Sequence, residues 1–248
     1  MDGMLGKKIG MTQIFTEDGR LIPVTVIESG PCSVLQVKTK QTDGYNAVQL
    51  GFEDIKESRV NKPQLEKFKK IKVAAKRLIQ EITVREPEKY QVGQNIKVSE
   101  FNLGEYVDVI GTSIGRGFQG GVKRWHWRGG PETHGSMSHR APGSIGASSF
   151  PSKVERGHHF PGHMGHQRVT IQNLEIIKID EGNNLLVLKG SVPGPKNGYL
   201  IIRKCIKNKV KKVPVKKEPP KDAKAQETKK AKPAAKPAKP AAAKAAKK

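Results

Sequence analysis

All seven histidines, both tryptophans and a run of interleaved basic and aromatic residues fall within residues 111–168. Imidazoles at such density suggest metal binding first. His158, His159, His163 and His166 include one i,i+4 pair, the spacing that zinc ligands take on a helix. Pro161, Gly162 and Gly165 lie among them and break any such helix, and no cysteine or suitably placed carboxylate completes a ligand set, so no metal is assigned. Nucleophilic catalysis would pair Ser136 or Ser138 with His134 or His139, but no carboxylate is placed to orient the imidazole, and no catalytic residue is assigned. The glycines of GRGFQGG (115–121) match neither a P-loop nor a dinucleotide fingerprint, and no cofactor is expected. The chemistry left is stacking on planar rings and donation to phosphate, which points to nucleic acid. Lys123-Arg124-Trp125-His126-Trp127-Arg128 is the most pointed element. Read as a strand, it puts Trp125 and Trp127 on one face, and Arg124, His126 and Arg128 on the other. One face would stack on bases while the other neutralises phosphate. The competing reading is that a tryptophan anchors the base of the segment to the rest of the protein.

The segment cannot fold by itself. Among its residues only Ile114, Val122, Ile145 and Val154 are Val, Ile or Leu, while 13 of the chain's 26 glycines are here. Ordering costs roughly 1–2 kcal/mol of backbone entropy per residue, and four apolar side chains do not offset that. The charge is distributed in the same sense. The chain carries +23; residues 111–168 hold 8 basic and 2 acidic residues, and 207–248 hold 16 and 3. The remainder is nearly balanced, at 22 basic and 18 acidic. Excess charge outside the parts with a core pattern is the footprint of a polyanion binder with arms.

The flanking sequence must position this arm, and it reads as mainly β. The runs 21–28, 32–40 and 46–52 are rich in β-branched residues and separated by the turn or break pairs Asp18-Gly19, Gly30-Pro31 and Asp43-Gly44, which suggests a small barrel or sandwich. In 58–82, Pro63 suits a helix start, and Leu65, Phe68, Ile71, Ala75, Leu78 and Ile79 recur at three- to four-residue spacing. This predicts a small helical insertion whose lysine face either touches RNA or is simply solvated. Strand pattern returns at 82–86 and through YVDVIGTS, then beyond the arm at 168–180, 184–190 and 199–206. The expected architecture is one discontinuous β-barrel from 1–110 and 169–207, with 111–168 as a long extended arm that leaves and re-enters at neighbouring points. The Lys/Ala/Pro stretch 208–248, with proline after Lys232, Lys236 and Lys239, is expected to be a disordered basic tail.

Cys32 and Cys205 sit in separate apolar runs with no CxxC and read as buried thiols of a reducing compartment. No apolar run approaches the roughly 18–20 residues that span a bilayer. The start, MDGMLGKKIGMTQIF, has no signal-peptide hydrophobic region. A cytosolic protein without membrane or small-molecule partners is expected.

Several long motifs, in order, carry a family resemblance: GKKIGMTQIF (6–15), GTSIGRGFQGGVKRWHWR (111–128), THGSMSHRAPGSIG (133–146), GHMGHQRVTIQNLEI (162–176) and LLVLKGSVPGP (185–195). The chain resembles the universal large-subunit ribosomal protein family numbered three, in its bacterial form, from its start to about residue 206. The resemblance implies a non-enzymatic constituent of the large ribosomal subunit, in the cytoplasm. It implies a barrel docked on large-subunit rRNA beside neighbouring ribosomal proteins, an arm reaching toward the peptidyl-transferase centre, and a role in early subunit assembly. The RNA-binding residues expected are Lys123, Arg124, Trp125, His126, Trp127, Arg128, His134, His139, Arg140, Lys153, His163 and Arg168. The resemblance puts the arm tip nearest the catalytic RNA at Ser144, Ile145, Gly146, Ala147, Ser148, Ser149 and Phe150, continuing to Lys153. Many bacterial members carry a methylated glutamine near the tip; Ser149 stands at the matching position here, so that modification is not expected. The basic tail extends past the usual family end.

Two rivals come from other classes. A histidine- or metal-dependent enzyme acting on RNA would need the histidines of the arm. A chaperone or nucleoid-type protein would depend on the tail. Neither accounts for the ordered motifs of 111–168.

Overall fold

Two β-prone runs on either side of Asp18-Gly19 build the first hairpin, β1 (Gly3–Phe15) and β2 (Leu21–Ser29). Gly19 takes φ +74° at its tip, and Thr16 N–H donates to the Arg20 carbonyl at 2.9 Å. The computed structural model describes residues 3–16 and 18–207; the tail expected at 208–248 lies outside the described residues. Next come β3 (Cys32–Lys38), β4 (Ala47–Asp54), α1 (Lys62–Ile71), β5 (Lys76–Thr83), β6 (Asn95–Ile96) and β7 (Tyr106–Thr112). Within the arm are β8 (Gly117–Gln119), α2 (Gly121–Trp125) and β9 (Gly162–Met164). The chain then forms β10 (Arg168–Asp180), β11 (Leu185–Lys189) and β12 (Tyr199–Lys204).

Six strands close an antiparallel barrel in the order β1-β12-β7-β10-β11-β2, so both halves of the sequence supply it. Closure removes every edge. Val107, Val109, Leu174, Ile176, Leu186, Leu188, Leu200 and Ile202 are all buried and share one core.

Two expectations need correction. First, the runs at 32–40 and 46–52 do not join the barrel. β3 and β4 belong to a separate sheet of order β5-β4-β3-β6, and the chain leaves the barrel for it at Gly30-Pro31. That sheet is covered on both faces. Val34, Val48, Leu50, Phe52 and Ile82 join the core of the barrel, while Leu35, Phe68, Ala75 and Ile79 pack with Ile71 of α1. Second, the helical insertion is shorter than 58–82. Pro63 does sit in the first turn of α1, but Lys72 takes φ 59° and Val73 N–H caps the Phe68 carbonyl at 3.2 Å, ending the helix. Residues 76–83 form β5, paired with β4 from Asp54↔Lys76 to Ala47↔Thr83. Leu78 and Ile79, spaced for a helix, sit equally well in a strand, and β4 offers the open edge that decides between them. Lys76, which the helical reading put on the exposed lysine face, is buried and paired with Asp54 at 2.6 Å. The thiols also differ from expectation. Cys32 is buried, and burial foremost pushes its pKa up to about 12, but Cys205 is only half-buried and its Sγ contacts Asn173 Oδ1 at 2.8 Å.

Two polar devices fix the geometry around the root of the arm. Lys8, 8% exposed, donates from Nζ to the carbonyls of Val192 (2.9 Å) and Gly194 (3.0 Å). Burial lowers its pKa below the ordinary lysine value. The loop it holds packs on the end of β7: a Cβ on Gly111 would lie 3.1 Å from Pro193 Cγ. Glu53, at φ 60°, ties the second sheet to the barrel: its carboxylate accepts from Lys7 Nζ at 2.9 Å and from the Tyr199 hydroxyl.

The Tyr199 hydrogen bond first, and Lys7 after it, hold the Glu53 carboxyl below the usual carboxylate value. A lowered folded-state pKa gives stability that is present above the unfolded value and is lost as pH falls through the folded one. Glu53→Gln should therefore cost about 1–2 kcal/mol near neutral pH. The gap from wild type should shrink as pH falls below about 4.3. Denaturant melts of both proteins across that range check it, and a gap that does not change with pH would refute the assignment.

Candidate nucleic-acid interface

β7 and β10 meet with Thr112 opposite Arg168, so the arm departs and returns side by side. The ladder runs on past the barrel. Ser113 N–H donates to the Gln167 carbonyl (2.8 Å), Gln167 N–H donates to Ser113 Oγ (3.1 Å), and Arg116 N–H reaches the Met164 carbonyl (2.9 Å). Gly165, at φ +76°, lets the two strands touch, since a Cβ there would sit 2.2 Å from the Ile114 carbonyl oxygen. Beyond it β8 and β9 form a short ribbon with Phe118 opposite His163.

Residues 121–125 are helical, which overturns the strand reading of the basic-aromatic run. α2 is a single turn closed by His126 at φ 60°, so Trp125 and Trp127 do not share a strand face. Trp125 stacks on His159 with ring centroids 4.1 Å apart and planes within 5°, and its Nε1–H donates to the Phe160 carbonyl at 2.8 Å. Arg124 Nη1 donates to the same carbonyl at 2.7 Å, and its guanidinium lies 4.9 Å from the Trp125 ring. Trp127 lies on the backbone of Gly121, where a Cβ would come within 2.1 Å of the indole. Trp125 and Arg124 thus clamp the outgoing strand of the arm to its returning strand, while Trp127 closes the turn of helix within the outgoing strand. The barrel anchor weighed from sequence is replaced by anchoring inside the arm.

Further out the chain is held by local polar contacts. Gly130 N–H donates to the His139 carbonyl (3.0 Å), His139 Nδ1 lies 3.0 Å from the Pro131 carbonyl, and Ser144 Oγ donates to the Gly146 carbonyl (3.0 Å). The folded-back chain encloses an open cleft of ≈ 640 Å³ bordered by Trp127, Arg128, Ser138, His158 and His159 among others. Residues 144–150 are all exposed, Phe150 at 89%.

Of the residues singled out from sequence, Arg124 and Trp125 converge on one carbonyl, and His163 is held in the ribbon. Lys123, His126, Arg128, His134, His139, Arg140, Lys153 and Arg168 are exposed and spread along the arm rather than gathered in one pocket. Sequence reasoning missed His159 and Phe160, which complete the clamp, and Phe118, exposed at 76% on the ribbon. His159 stood in the histidine cluster already under scrutiny; the role of Phe160 lies in its carbonyl, which no side-chain pattern reveals. Among the described residues, every ion pair lies outside the arm, at sites such as Lys38–Glu81 (2.7 Å) and Lys189–Glu175 (3.2 Å). Also among the described residues, no three His, Cys, Asp or Glu side chains come together as metal ligands, and no helix is long and apolar enough to cross a membrane.

A closed antiparallel barrel carrying a cation-rich, aromatic arm with little core of its own defines a scaffold-and-extension protein. A family model described as Ribosomal protein L3 matches residues 29–185. The large ribosomal subunit protein uL3 of Carboxydothermus hydrogenoformans is 56% identical over 207 residues, covering 84% of this chain and 99% of that protein. Those of Pelotomaculum thermopropionicum and Petrotoga mobilis are 54% and 52% identical over 83% and 84% of this chain, and 97% and 98% of their own lengths. The chain belongs to the ribosomal protein L3 family. It is a structural protein of the ribosome and not an enzyme.

The clamp makes a direct test possible. Gly121→Ala would drive a methyl into the Trp127 ring. Expected outcomes are red-shifted tryptophan emission and faster tryptic cutting at Lys123, Arg124 and Arg128. Barrel stability should change by less than about 0.5 kcal/mol, as for a site remote from the core. Wild-type emission and cutting would show that the indole does not rest on Gly121.

Proposed function

We propose that this protein is an architectural constituent of the large ribosomal subunit that binds large-subunit rRNA through its arm. On this reading it works in the cytoplasm, contributes to early subunit assembly beside neighbouring ribosomal proteins, and supports the RNA around the peptidyl-transferase centre with the tip at Ser144–Phe150. The observation that carries the reading is the set of exposed arm cations, Lys123, Arg128, Arg140, Lys153 and Arg168, none of which a carboxylate holds among the described residues. Such groups release condensed counterions when they meet phosphate, and they give up no internal partner in doing so. The exposed rings of the arm, Phe118, Trp125 and the imidazoles, suit unpaired bases, on which stacking is worth about 1–3 kcal/mol each. The barrel, with its nearly balanced charge, supplies a rigid base.

Binding of the full chain to large-subunit rRNA should weaken steeply as salt rises. Replacing Lys123, Arg128 and Arg140 together by alanine should lower the log–log salt slope by about 0.7–0.9 for each phosphate left without its cation. Filter binding across a salt series measures this. A slope that is flat in the wild type, or unchanged in the triple variant, would count against the arm as the electrostatic contact.

A further inference from the structure

The cleft inside the arm has a composition that general phosphate neutralisation does not require. Trp127, whose indole rests on the backbone of Gly121, borders it. Arg128, His158 and His159 supply a guanidinium and two imidazoles, Ser138 and Ser144 complete the lining with small polar residues, and no carboxylate borders it. His159 is held in place from behind by its stack on Trp125. The space, ≈ 640 Å³, falls within the range of about 300–1,000 Å³ typical of small-ligand clefts. It has room for one base with its sugar and phosphate, and is too small for a duplex.

We propose that this cleft receives a single unstacked nucleotide of the bound RNA, with the base against Trp127 and the phosphate toward Arg128 and His158. The proposal rests on the reading of the arm as the rRNA contact and adds a defined base-binding site to it. Flat aromatic, guanidinium and imidazole surfaces are the groups on which proteins seat splayed-out bases. A peptide would find few apolar side chains here and no carboxylate for a basic residue. The walls are made by main chain folded back at Gly130, where a Cβ would come within 1.9 Å of the Ser138 carbonyl oxygen, so the shape does not depend on long flexible side chains.

The chain has two tryptophans, so full-length Trp125→Phe leaves Trp127 as the sole reporter. Titrated with large-subunit rRNA, its emission should fall by about half or more as a base stacks on the ring, in step with binding followed by gel shift. Mixed mononucleotides at the same nucleotide concentration should quench it far less. In an otherwise wild-type chain, Ala141→Trp, at an exposed position on the rim of the cleft, should fill the space and weaken rRNA binding about tenfold while lowering the salt slope by no more than the one phosphate turned away from Arg128, about 0.7–0.9. If rRNA binds with a steep salt slope but Trp127 stays unquenched and Ala141→Trp binds like wild type, the nucleotide site is wrong and the architectural reading stands. Quenching by mononucleotides but not by rRNA also overturns the site. If rRNA does not bind at all, the architectural reading falls with it.

Discussion

Pairing of β7 with β10 is the constraint on which the rest of this molecule depends. Thr112 and Arg168 are brought opposite each other although residues 113–167 intervene, and the same two strands complete the barrel between β12 and β11. The entropy of closing so long a loop grows only logarithmically with its length, so a long excursion costs little more than a short one. The closed barrel can therefore carry an arm of this size without losing its own cooperativity. Lys8 and the 190–195 loop brace the junction from the barrel side, and the Ser113–Gln167 bonds continue it outward.

Inside the arm the stabilising contacts are of another kind. A ring on a ring and side chains on the Phe160 carbonyl hold the outgoing and returning strands together, and an indole on a glycine fixes the turn between them and the tip. Such contacts order the chain near the ribbon and leave 144–150 exposed, with Phe150 and Met137 almost wholly accessible. An apolar core in the arm would make it thicker; clamping by rings and main chain keeps it slender.

Much of this was legible in the sequence, and the parts that were not share a cause. Asp18-Gly19 and Asp43-Gly44 mark turns through local backbone chemistry, so the strands around them could be read directly. The excursion stood out because a segment with four aliphatic residues has no core to join. Which sheet a strand joins is a non-local matter, and nothing in the runs at 32–40 and 46–52 distinguishes barrel from second sheet. The end of α1 was hidden because Leu78 and Ile79 fit both periodicities. The turn of helix at 121–125 is too short to show a period, and its role depends on Phe160, far along the chain.

The placement of ion pairs divides the labour between the two parts. In the barrel and second sheet, cations are spent on carboxylates: Lys7 and Arg77 on Glu53, Lys76 on Asp54, Lys204 on Glu105. Of these, Lys7–Glu53 sets sheet against barrel while the others brace each part within itself, and together they leave little net charge there. In the arm Arg124 is fixed by a carbonyl and a ring, contacts that orient a guanidinium without neutralising it. A carboxylate partner would have to be displaced before phosphate could bind, cancelling part of the gain. A carbonyl partner leaves the full charge in place and already directed. The scarcity of acids in 111–168 is thus a condition for the arm to hold its shape while its charge stays available.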